Sequence, residues 1–315
     1  MRRRTGGSWV ILLGLLSGCA VGSVEDASQP AGSTAAPSET ASATPGESER
    51  DGPRVTKLLV FVVENHSFSS MRDRMPWTFA MSERYGYATN YDAVTHPSLP
   101  NYLAMVGGSD FEVDANLHPD DLRIEGESIF GQALDLGRTA VVYNEDMAEN
   151  CQREDTPEGY AYRHNAWVYF VDERDACEEF SVSMAGFADD VAGGALPNAG
   201  MVVPNVCNDG HDCDLSVTDD WMQEQVGLAM SGPDWATGDL AIVITADEDD
   251  DDADNQVLTS VLHPSLEGVV TDEYLTHYSL ARLYGEVLGA PLLREAVNAP
   301  SMARAFGLPV GAPER

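Results

Sequence analysis

The sequence contains very little basic charge. Lys57 is the single lysine, and 18 Lys and Arg residues stand against 52 Asp and Glu residues, which gives a formal net charge of −34 over 315 residues. Proteins that bind nucleic acids concentrate Lys and Arg on one surface, because these side chains displace phosphate counterions. The composition therefore predicts that nucleic acid is not a partner. With 43% hydrophobic residues, the chain still has enough apolar material for a folded core.

Apolar runs long enough to cross a bilayer are also missing. The run at residues 9–16 is too short to span one, but it follows Arg2-Arg3-Arg4 and precedes small residues. A basic start, an apolar stretch and small residues form the pattern of an export signal. We therefore predict a signal peptide over residues 1–18.

Leu16-Ser17-Gly18-Cys19 resembles a bacterial lipobox, in which the cysteine is lipidated and becomes the first residue of the mature protein. Residues 20–53 are mostly Ser, Ala, Thr, Pro, Gly and Glu, a composition that cannot offset the entropy lost on ordering. We predict a lipidated Cys19 with a disordered linker over residues 19–53, and a folded domain over residues 54–315. The expected protein is an exported lipoprotein held to the membrane through this anchor and facing outward, or a secreted protein if Cys19 is incidental.

Cysteine is scarce, with five residues in all. Once Cys19 carries lipid, the remaining four form an even set in an oxidising compartment, which suits disulfides. Three pairings are possible, and we favour Cys151–Cys177 with Cys207–Cys213 because both close short loops. The spacing of Cys and His matches no zinc motif, so a thiolate metal site is not expected.

Short apolar runs with amphipathic segments between them predict the fold class. This alternation is typical of an α/β protein with a mostly parallel central sheet and helices on both faces. The apolar runs are residues 58–63, 139–143, 201–203 and 240–245. The amphipathic segments lie around residues 68–85, 128–136, 221–230 and 274–288.

Polar side chains follow each apolar run. The carboxyl ends of parallel strands share one edge of a sheet, and open α/β sheets bind ligands there. A single such cluster is more often a solvated loop, but four clusters at one edge predict a functional site. The clusters are Glu64-Asn65, Asn144-Glu145-Asp146, Asn205 with Asp209-Gly210-His211-Asp212, and Asp247-Glu248-Asp249.

Three carboxylates of these clusters, Glu64, Asp247 and Glu248, cannot all stay ionised in a cleft unless a cation balances them or they take up protons. A hard divalent metal ion, which prefers oxygen ligands, is the simpler solution. We therefore predict one divalent metal ion of unknown identity. The acidic run does not fit a calcium loop of the EF-hand kind, because Asp252 and Leu258 stand where that loop needs Gly and Glu.

Ser98 is the candidate nucleophile. Pro100 suits the first turn of a helix, so Ser98 falls at or next to the N-cap, where backbone N–H groups favour an incoming anion. Most serines at such positions only cap the helix, but His96 and Asn101 nearby favour a catalytic role. A serine-esterase triad is a weaker alternative, because Gly107-Gly108-Ser109-Asp110-Phe111 breaks the nucleophile-elbow pattern at its last position.

Six motifs follow one another between residues 57 and 296. They are Glu64-Asn65-His66-Ser67-Phe68, His96-Pro97-Ser98-Leu99-Pro100-Asn101-Tyr102, Tyr162-Arg163-His164-Asn165-Ala166-Trp167, Pro204-Asn205 with Asn208-Asp209-Gly210-His211-Asp212, Thr245-Ala246-Asp247-Glu248-Asp249-Asp250, and Thr276-His277-Tyr278-Ser279. In this order they resemble the phosphoesterase family, which contains bacterial phospholipases C and secreted acid phosphatases. The resemblance is nearest to the short acid phosphatases, and it implies an alkaline-phosphatase-like fold with a catalytic domain over residues 54–315.

The resemblance also implies roles for individual residues. Ser98 would be the nucleophile that becomes phosphorylated, and one histidine, for which we favour His211 or His277, would protonate the departing alkoxide. The metal or phosphate ligands would be Glu64, Asn65, Asp247 and Glu248, with Asp249 as the alternative to Glu248. Contacts to the phosphoryl or leaving group would come from Asn65, His96, Asn101, His164, His211 and His277.

The expected function is that of an exported acid phosphatase that hydrolyses phosphomonoesters through a phosphoserine intermediate. A phosphodiesterase of the phospholipase C type, acting on a phospholipid, is the alternative within the family. A non-catalytic, acidic, cation-binding surface lipoprotein is the alternative of a different class. The strong negative charge repels anionic lipid and favours a small phosphomonoester as substrate.

Overall fold

The structure is a computed structural model that describes residues 54–251 and 253–311. The predicted signal peptide over residues 1–18, Cys19 and the predicted linker up to residue 53 lie outside the described residues. In the described part of the chain, no helix is both long enough and apolar enough to span a bilayer.

Strands and helices alternate along most of the described chain. The strands are β1 Lys57–Val63, β2 Gly86–Ala88, β3 Tyr91–Asp92, β4 Ala140–Asn144, β5 Ser181–Ser183, β6 Ala199–Val203, β7 Leu240–Ala246, β8 Thr259–Leu262, β9 Val269–Thr271 and β10 Leu275–Thr276. The α-helices are α1 Phe68–Arg74, α2 Pro76–Arg84, α3 Ser98–Gly107, α4 Ile129–Asp135, α5 Arg174–Phe180, α6 Phe187–Gly193, α7 Leu215–Ser231, α8 Pro233–Thr237, α9 His277–Leu288 and α10 Met302–Phe306. Short 3₁₀ turns at Tyr162–His164, Ala166–Tyr169, Val171–Glu173, Met184–Gly186 and Arg294–Val297 complete the chain.

The main sheet has eight strands in the order β5-β4-β6-β1-β7-β8-β2-β9. The five strands from β5 to β7 in this order run parallel to one another, whereas β8 runs antiparallel to both β7 and β2. β3 and β10 form a separate two-stranded parallel sheet. The central sheet is therefore mostly parallel, which confirms the prediction.

The four predicted strands form the centre of this sheet as the neighbours β4, β6, β1 and β7. Every residue of β6 and β7 is buried, as expected for apolar strands that are covered on both faces. The helices that cover them form two groups, since α3, α4 and α9 pack on one another while α1, α2, α6, α7 and α8 pack among themselves. A sheet buried between two helical groups confirms the predicted α/β class.

The backbone continues the parallel arrangement beyond the ends of the strands. The N–H of Asp247 donates to the carbonyl of Val63 at 3.0 Å, and the N–H of Glu64 donates to the carbonyl of Asp209 at 2.8 Å. The segments that follow β1, β6 and β7 are therefore hydrogen-bonded to one another at a single edge of the sheet. This edge carries the polar clusters that the sequence places after the apolar runs.

Two disulfides link parts of the fold, with the pairing that the sequence favours. Cys151 pairs with Cys177 in α5, and Cys207 pairs with Cys213. The second bond closes a short loop after β6, and this loop carries Asp209 and His211. It therefore constrains one of the polar clusters at the edge of the sheet.

Candidate active site

Ser98 is the first residue of α3, a helix whose residues are all buried. Pro97 precedes it in an extended conformation, and Pro100 occupies the first turn, where a missing N–H breaks no helical hydrogen bond. Gly108 ends the helix with a φ of 67°, and a Cβ at this position would lie 2.6 Å from the carbonyl oxygen of Leu293. The candidate nucleophile is thus carried by a helix that is fixed at both ends.

The hydroxyl of Ser98 lies among the oxygens of the predicted metal ligands. It donates to Glu64 Oε2 at 3.1 Å, while Glu248 Oε1 and Asn65 Oδ1 lie 3.4 and 3.5 Å from Ser98 Oγ. Asp247 Oδ1 accepts a hydrogen bond from the backbone N–H of Asn65 at 3.0 Å. The structure therefore brings together the predicted nucleophile and all four predicted ligands, and we call these five residues the oxygen cluster.

The carboxylates of the oxygen cluster oppose one another's ionisation. Burial, and after it the charges of Glu64 and Glu248, raise the pKa of Asp247 well above its usual value. Burial and then the charge of Glu64 raise the pKa of Glu248 to about 8. Burial would raise the pKa of Glu64 as well, but the charge and hydrogen bonding of His164 bring it below its usual value. Without a cation, Asp247 and Glu248 therefore tend to hold protons.

The oxygen cluster fits a hard divalent cation. Asp247 Oδ2 is buried, and no described residue donates a hydrogen bond to it. Carboxylate and amide oxygens are the ligands that such cations prefer, and a cation would favour the ionised forms of Asp247 and Glu248. Glu64, Asn65, Asp247 and Glu248 are the residues that would hold it.

The carboxylate of Asp249 is instead hydrogen-bonded to the backbone of its own loop. Its Oδ1 accepts from the backbone N–H of Asp251 at 2.9 Å, and its Oδ2 accepts from those of Ala253 and Asn255 at 2.7 and 3.0 Å. Between the two alternatives that the sequence leaves open, the structure thus favours Glu248 as the ligand beside Ser98. Two sets of side chains in the described residues have ligand atoms within 4.8 Å of one another, namely Glu64 with His164 and Asp209, and His96 with Asp249 and Asp251.

His164 is enclosed behind Glu64 and has no exposed surface. Its Nε2 lies 3.2 Å from Glu64 Oε2, and its Nδ1 lies 3.3 Å from Asp209 Oδ2. Burial disfavours the charged ring, but the two carboxylates outweigh burial and raise the pKa of His164 to about 9. In this structure the ring of His164 thus lies against Glu64 and Asp209, and its contact with substrate stays a prediction.

Tyr102 completes the environment of Glu64. Its ring stacks on that of His164, with centroids 5.3 Å apart and an interplanar angle of 8°. Its hydroxyl donates to Glu64 Oε1. Burial, and after it the charge of Glu64, raise the pKa of Tyr102 well above its usual value, so the hydroxyl keeps its proton and remains a donor.

His211 is accessible, with 33% of its side chain exposed. Its Nδ1 lies 2.7 Å from Asp212 Oδ1, and its ring centroid lies 6.3 Å from that of His164. Within residues 54–251 and 253–311, no side chain or backbone group hydrogen-bonds to Nε2. Of the two histidines that we favour as general acid, the structure supports His211.

His277 is fully buried at the start of α9. Its Nδ1 lies 3.1 Å from the hydroxyl of Tyr91, and its Nε2 lies 2.6 Å from the backbone oxygen of Asp247. Burial lowers the pKa of His277 to about 4, despite the hydrogen bond to Asp247, so the ring is neutral. Both nitrogens are engaged and the ring holds the backbone of Asp247, and a role of His277 in proton transfer stays a prediction.

Asn101 also faces the protein interior and is fully buried. Its Oδ1 accepts from the backbone N–H groups of Val94 and Thr95 at 2.9 and 3.1 Å. Its amide group donates to the carbonyl of Thr95 at 2.7 Å and to Glu248 Oε2 at 3.3 Å. In this structure the side chain holds the loop before α3 and orients Glu248, and contact of Asn101 with substrate stays a prediction.

The other predicted substrate-binding residues, Asn65 and His96, lie nearer the surface. Asn65 is partly exposed, and its backbone has a φ of 54°, which turns the chain after β1 toward Ser98. The side chain of His96 is 38% exposed, with its nitrogens 3.1 Å from Glu248 Oε2 and 3.2 Å from Asp249 Oδ1. Contact of these two residues with substrate stays a prediction.

Two residues of the site, Tyr102 and Asp209, have no role in the sequence-based prediction. The signal for Tyr102 is its spacing, since it follows Ser98 by four residues and so lies one turn later on the same side of α3. Asp209 belongs to a predicted polar cluster, but the sequence does not indicate which histidine it faces. Its Oδ1 accepts from the backbone N–H of His211 at 2.8 Å, and burial chiefly raises its pKa to about 6.

Similarity to known proteins covers most of the described chain. A model of the phosphoesterase family matches residues 61–282. A phosphatidylinositol-3-phosphatase of Mycobacterium tuberculosis is 26% identical over 261 residues, which cover 81% of this chain and 84% of that protein. A probable acid phosphatase of Kluyveromyces lactis is 27% identical over 252 residues, which cover 74% of this chain and 58% of that protein. The chain thus spans little more than half the length of this yeast relative.

Solved structures are similar in fold. A protein in the alkaline phosphatase superfamily from Vibrio parahaemolyticus superposes with a TM-score of 0.53 and 10% identity, over 81% of this chain and 72% of the other. Identity at this level reports on the fold alone. The central sheet and its helices are therefore of the alkaline-phosphatase type.

Proposed function

Because the chain belongs to the phosphoesterase family and is a phosphoric ester hydrolase, we propose that it is an exported acid phosphatase that hydrolyses small phosphomonoesters with Ser98 as nucleophile. One observation carries this proposal, namely the hydroxyl of Ser98 at the start of a buried helix and in contact with buried carboxylates. A serine that only capped a helix would have no need of such neighbours. Relatives named acid phosphatase and phosphatidylinositol-3-phosphatase support phosphomonoesters as the substrate class.

The first step forms a phosphoserine. Ser98 Oγ attacks phosphorus, the bond from phosphorus to the leaving oxygen breaks, and the hydroxyl proton passes to Glu64 Oε2, which already accepts its hydrogen bond. A divalent metal ion held by Glu64, Asn65, Asp247 and Glu248 would supply the charge that lowers the pKa of the hydroxyl and neutralises the phosphoryl oxygens. The N-terminus of α3 adds a partial positive charge at the same place.

His211 moves the second proton. Nε2 donates it to the departing alkoxide, while Asp212 holds the ring through Nδ1. In the second step His211 accepts a proton from the water that attacks the phosphoserine. The bond between phosphorus and Ser98 Oγ then breaks, and Ser98 takes its proton back from Glu64, which releases phosphate and restores the enzyme.

Kinetics of the full chain test this proposal. The protein is assayed with p-nitrophenyl phosphate, with its bis-ester and with phosphatidylcholine, each with and without a chelator. We expect the monoester to be hydrolysed fastest, the chelator to abolish turnover, and Ser98→Ala to lower kcat by about a thousandfold or more. Brief incubation with a ³²P-labelled monoester should label wild type and leave Ser98→Ala unlabelled. Turnover by Ser98→Ala within tenfold of wild type would refute the nucleophile, and faster cleavage of the diesters would refute the substrate class.

We further propose export and anchoring through Cys19. The two disulfides support an oxidising compartment, and the lipobox-like segment supports lipidation. Fractionation of the producing cell and mass spectrometry of the native N-terminus test this. Wild type should be found in the membrane fraction with a lipidated N-terminal cysteine, whereas Cys19→Ala should leave that fraction. An unmodified Cys19 in the membrane-free fraction of wild type would refute the anchor.

A further inference from the structure

A continuous line of buried contacts runs inward from Ser98. Glu64 Oε2 accepts from the Ser98 hydroxyl at 3.1 Å and lies 3.2 Å from His164 Nε2, and His164 Nδ1 lies 3.3 Å from Asp209 Oδ2. Tyr102 contacts this line twice, by stacking on His164 and by donating to Glu64 Oε1. Glu64, Tyr102, His164 and Asp209 have no exposed surface. We call these four residues the inner line.

Glu64 is the member of the inner line that contacts Ser98, at 3.1 Å. The other three members can act on the reaction through Glu64. A carboxylate can rotate about its last bond, and each orientation offers a different oxygen to the hydroxyl. Here Oε1 is occupied by Tyr102 and Oε2 faces both Ser98 and His164, so one orientation is selected. Groups fixed in advance in this way need no reorganisation during the reaction.

Asp209 is itself firmly held, which makes it a suitable support. Its backbone oxygen accepts from the N–H of Glu64 at 2.8 Å, and its Oδ1 accepts from the N–H of His211 at 2.8 Å. The disulfide between Cys207 and Cys213 closes the loop around it. Its remaining oxygen, Oδ2, is buried and faces His164.

We propose that Asp209 and Tyr102 are positioning residues of the reaction: Asp209 holds His164, and His164 together with Tyr102 holds Glu64 in the orientation that receives the Ser98 hydroxyl. This inference rests on the proposed function, in which Ser98 is the nucleophile and Glu64 takes its proton.

A bound cation is the competing explanation, because Glu64, His164 and Asp209 each offer an atom within 4.8 Å of the others. The three side chains already contact one another directly, however, at 3.2 Å between Glu64 and His164 and at 3.3 Å between His164 and Asp209. If these direct contacts hold the inner line, removing Asp209 should not change the number of metal ions per chain.

Two pairs of variants of the full chain test the inference. Asp209→Asn and Tyr102→Phe each remove one contact of the inner line. Asp219→Asn is the control for the first, since Asp219 is 5% exposed and accepts three hydrogen bonds from Trp77 and Thr78. Tyr143→Phe is the control for the second, since the buried hydroxyl of Tyr143 donates to Asp190 at 2.7 Å.

At saturating metal with p-nitrophenyl phosphate, we expect Asp209→Asn and Tyr102→Phe to lower kcat by about tenfold to a hundredfold and to change KM by less than about threefold. Chelator competition should show weaker metal binding in both variants, since Glu64 is a proposed ligand. Both controls should match wild type in kcat and in metal affinity. The double variant Asp209→Asn/His164→Gln should lose no more kcat than His164→Gln alone, because Asp209 acts through His164.

Four results would overturn the inference. The first is a wild-type kcat in Asp209→Asn and Tyr102→Phe, and the second is a loss of kcat in the controls as large as in these two variants. The third is a double variant whose loss of kcat equals the product of the two single losses, and the fourth is one fewer metal ion per chain in Asp209→Asn. If Asp209→Asn does not fold, as judged by circular dichroism, Tyr102→Phe decides, since it removes a single oxygen. Ser98→Ala is assayed alongside, so that failure of the proposed nucleophile is seen separately, and the metal-affinity comparison tests the positioning of Glu64 in either case.

Discussion

Single residues of this site differ mainly in how deeply they are enclosed. Ser98 and Glu64 occupy the predicted positions, and His211 is accessible as expected for a general acid. Asn101 and His277 are fully buried, with their polar atoms bonded within the protein. In this structure both side chains therefore support neighbouring parts of the site, and their contact with substrate stays a prediction.

Asn101→Ala should cost stability and leave substrate binding unchanged. Two backbone N–H groups and one oxygen of Glu248 would lose their partner, so the free energy of unfolding should fall by about 3 kcal/mol. KM should stay within about twofold of wild type, measured under conditions in which a urea titration shows the variant to be folded. Asn144→Ala is the control, because Asn144 is also buried and hydrogen-bonded. A tenfold rise in KM at unchanged stability would instead assign Asn101 to the substrate.

His164 should make the stability of the metal-free protein depend on pH. Its pKa in the fold, about 9, exceeds the usual value near 6.5, so its contribution is complete below about pH 6.5 and is lost as the pH rises through 9. Because the pKa of Glu248 is raised to about 8, this group also lowers the free energy of unfolding as the pH rises, over a lower pH range.

The difference between wild type and His164→Gln isolates the contribution of the histidine. With chelator present, the gap in unfolding free energy should shrink by up to about 3 kcal/mol between pH 6 and pH 9.5. Urea titrations across this range measure it. A gap that stays constant with pH would contradict the charged state that we assign to His164.

At the scale of elements, the long apolar strands could be predicted and the short ones could not. β1, β4, β6 and β7 are five to seven residues long, and their apolar runs are visible without any knowledge of neighbours. β2, β5, β8 and β9 have three or four residues, too few for a periodic pattern, so the antiparallel part of the sheet is absent from the prediction. The proposed ligand residues Glu64, Asn65, Asp247 and Glu248 follow long strands, which is why the sequence draws attention to them.

The enclosed partners of those ligands could not be predicted in the same way. His164 lies in a 3₁₀ turn and Asp209 in the disulfide loop, and no strand or helix pattern fixes where such segments fold back. Which face of His164 meets Glu64 depends on the packing of Tyr102. Long-range packing of irregular segments therefore decides the part of the site that motifs alone leave open.

Removing one disulfide should mainly affect stability, and removing the other should mainly affect activity. By loop-closure entropy, the bond between Cys151 and Cys177, 26 residues apart, contributes about 3.5 kcal/mol, and that between Cys207 and Cys213, 6 residues apart, contributes about 2 kcal/mol. The double Cys→Ser variant of the first pair should lose more unfolding free energy and keep its kcat. That of the second pair should lose less stability and more than tenfold in kcat, since its loop holds Asp209 and His211. The opposite ranking in paired denaturation and kinetic measurements would refute this division.

The whole molecule has a strongly negative net charge, and its electrostatic field should slow the binding of an anionic substrate. The net charge of −34 repels a phosphate dianion, and the screening length falls from about 30 Å at 0.01 M to about 8 Å at 0.15 M ionic strength. We therefore expect kcat/KM for p-nitrophenyl phosphate to rise by several-fold over this range of sodium chloride. Phosphocholine, whose cationic group offsets much of its charge, is the control and should respond less. A kcat/KM that falls with salt would indicate local attraction strong enough to dominate the field.

The backbone hydrogen bonds from Glu64 to Asp209 and from Asp247 to Val63 join the candidate site to the centre of the sheet. A fluctuation that opened the site would have to separate the central strands, so these amides should exchange with deuterium only when the whole chain unfolds. Catalytic activity and the folded state should then be lost in one cooperative transition. Heating should remove both at the same temperature, with no folded and inactive population in between.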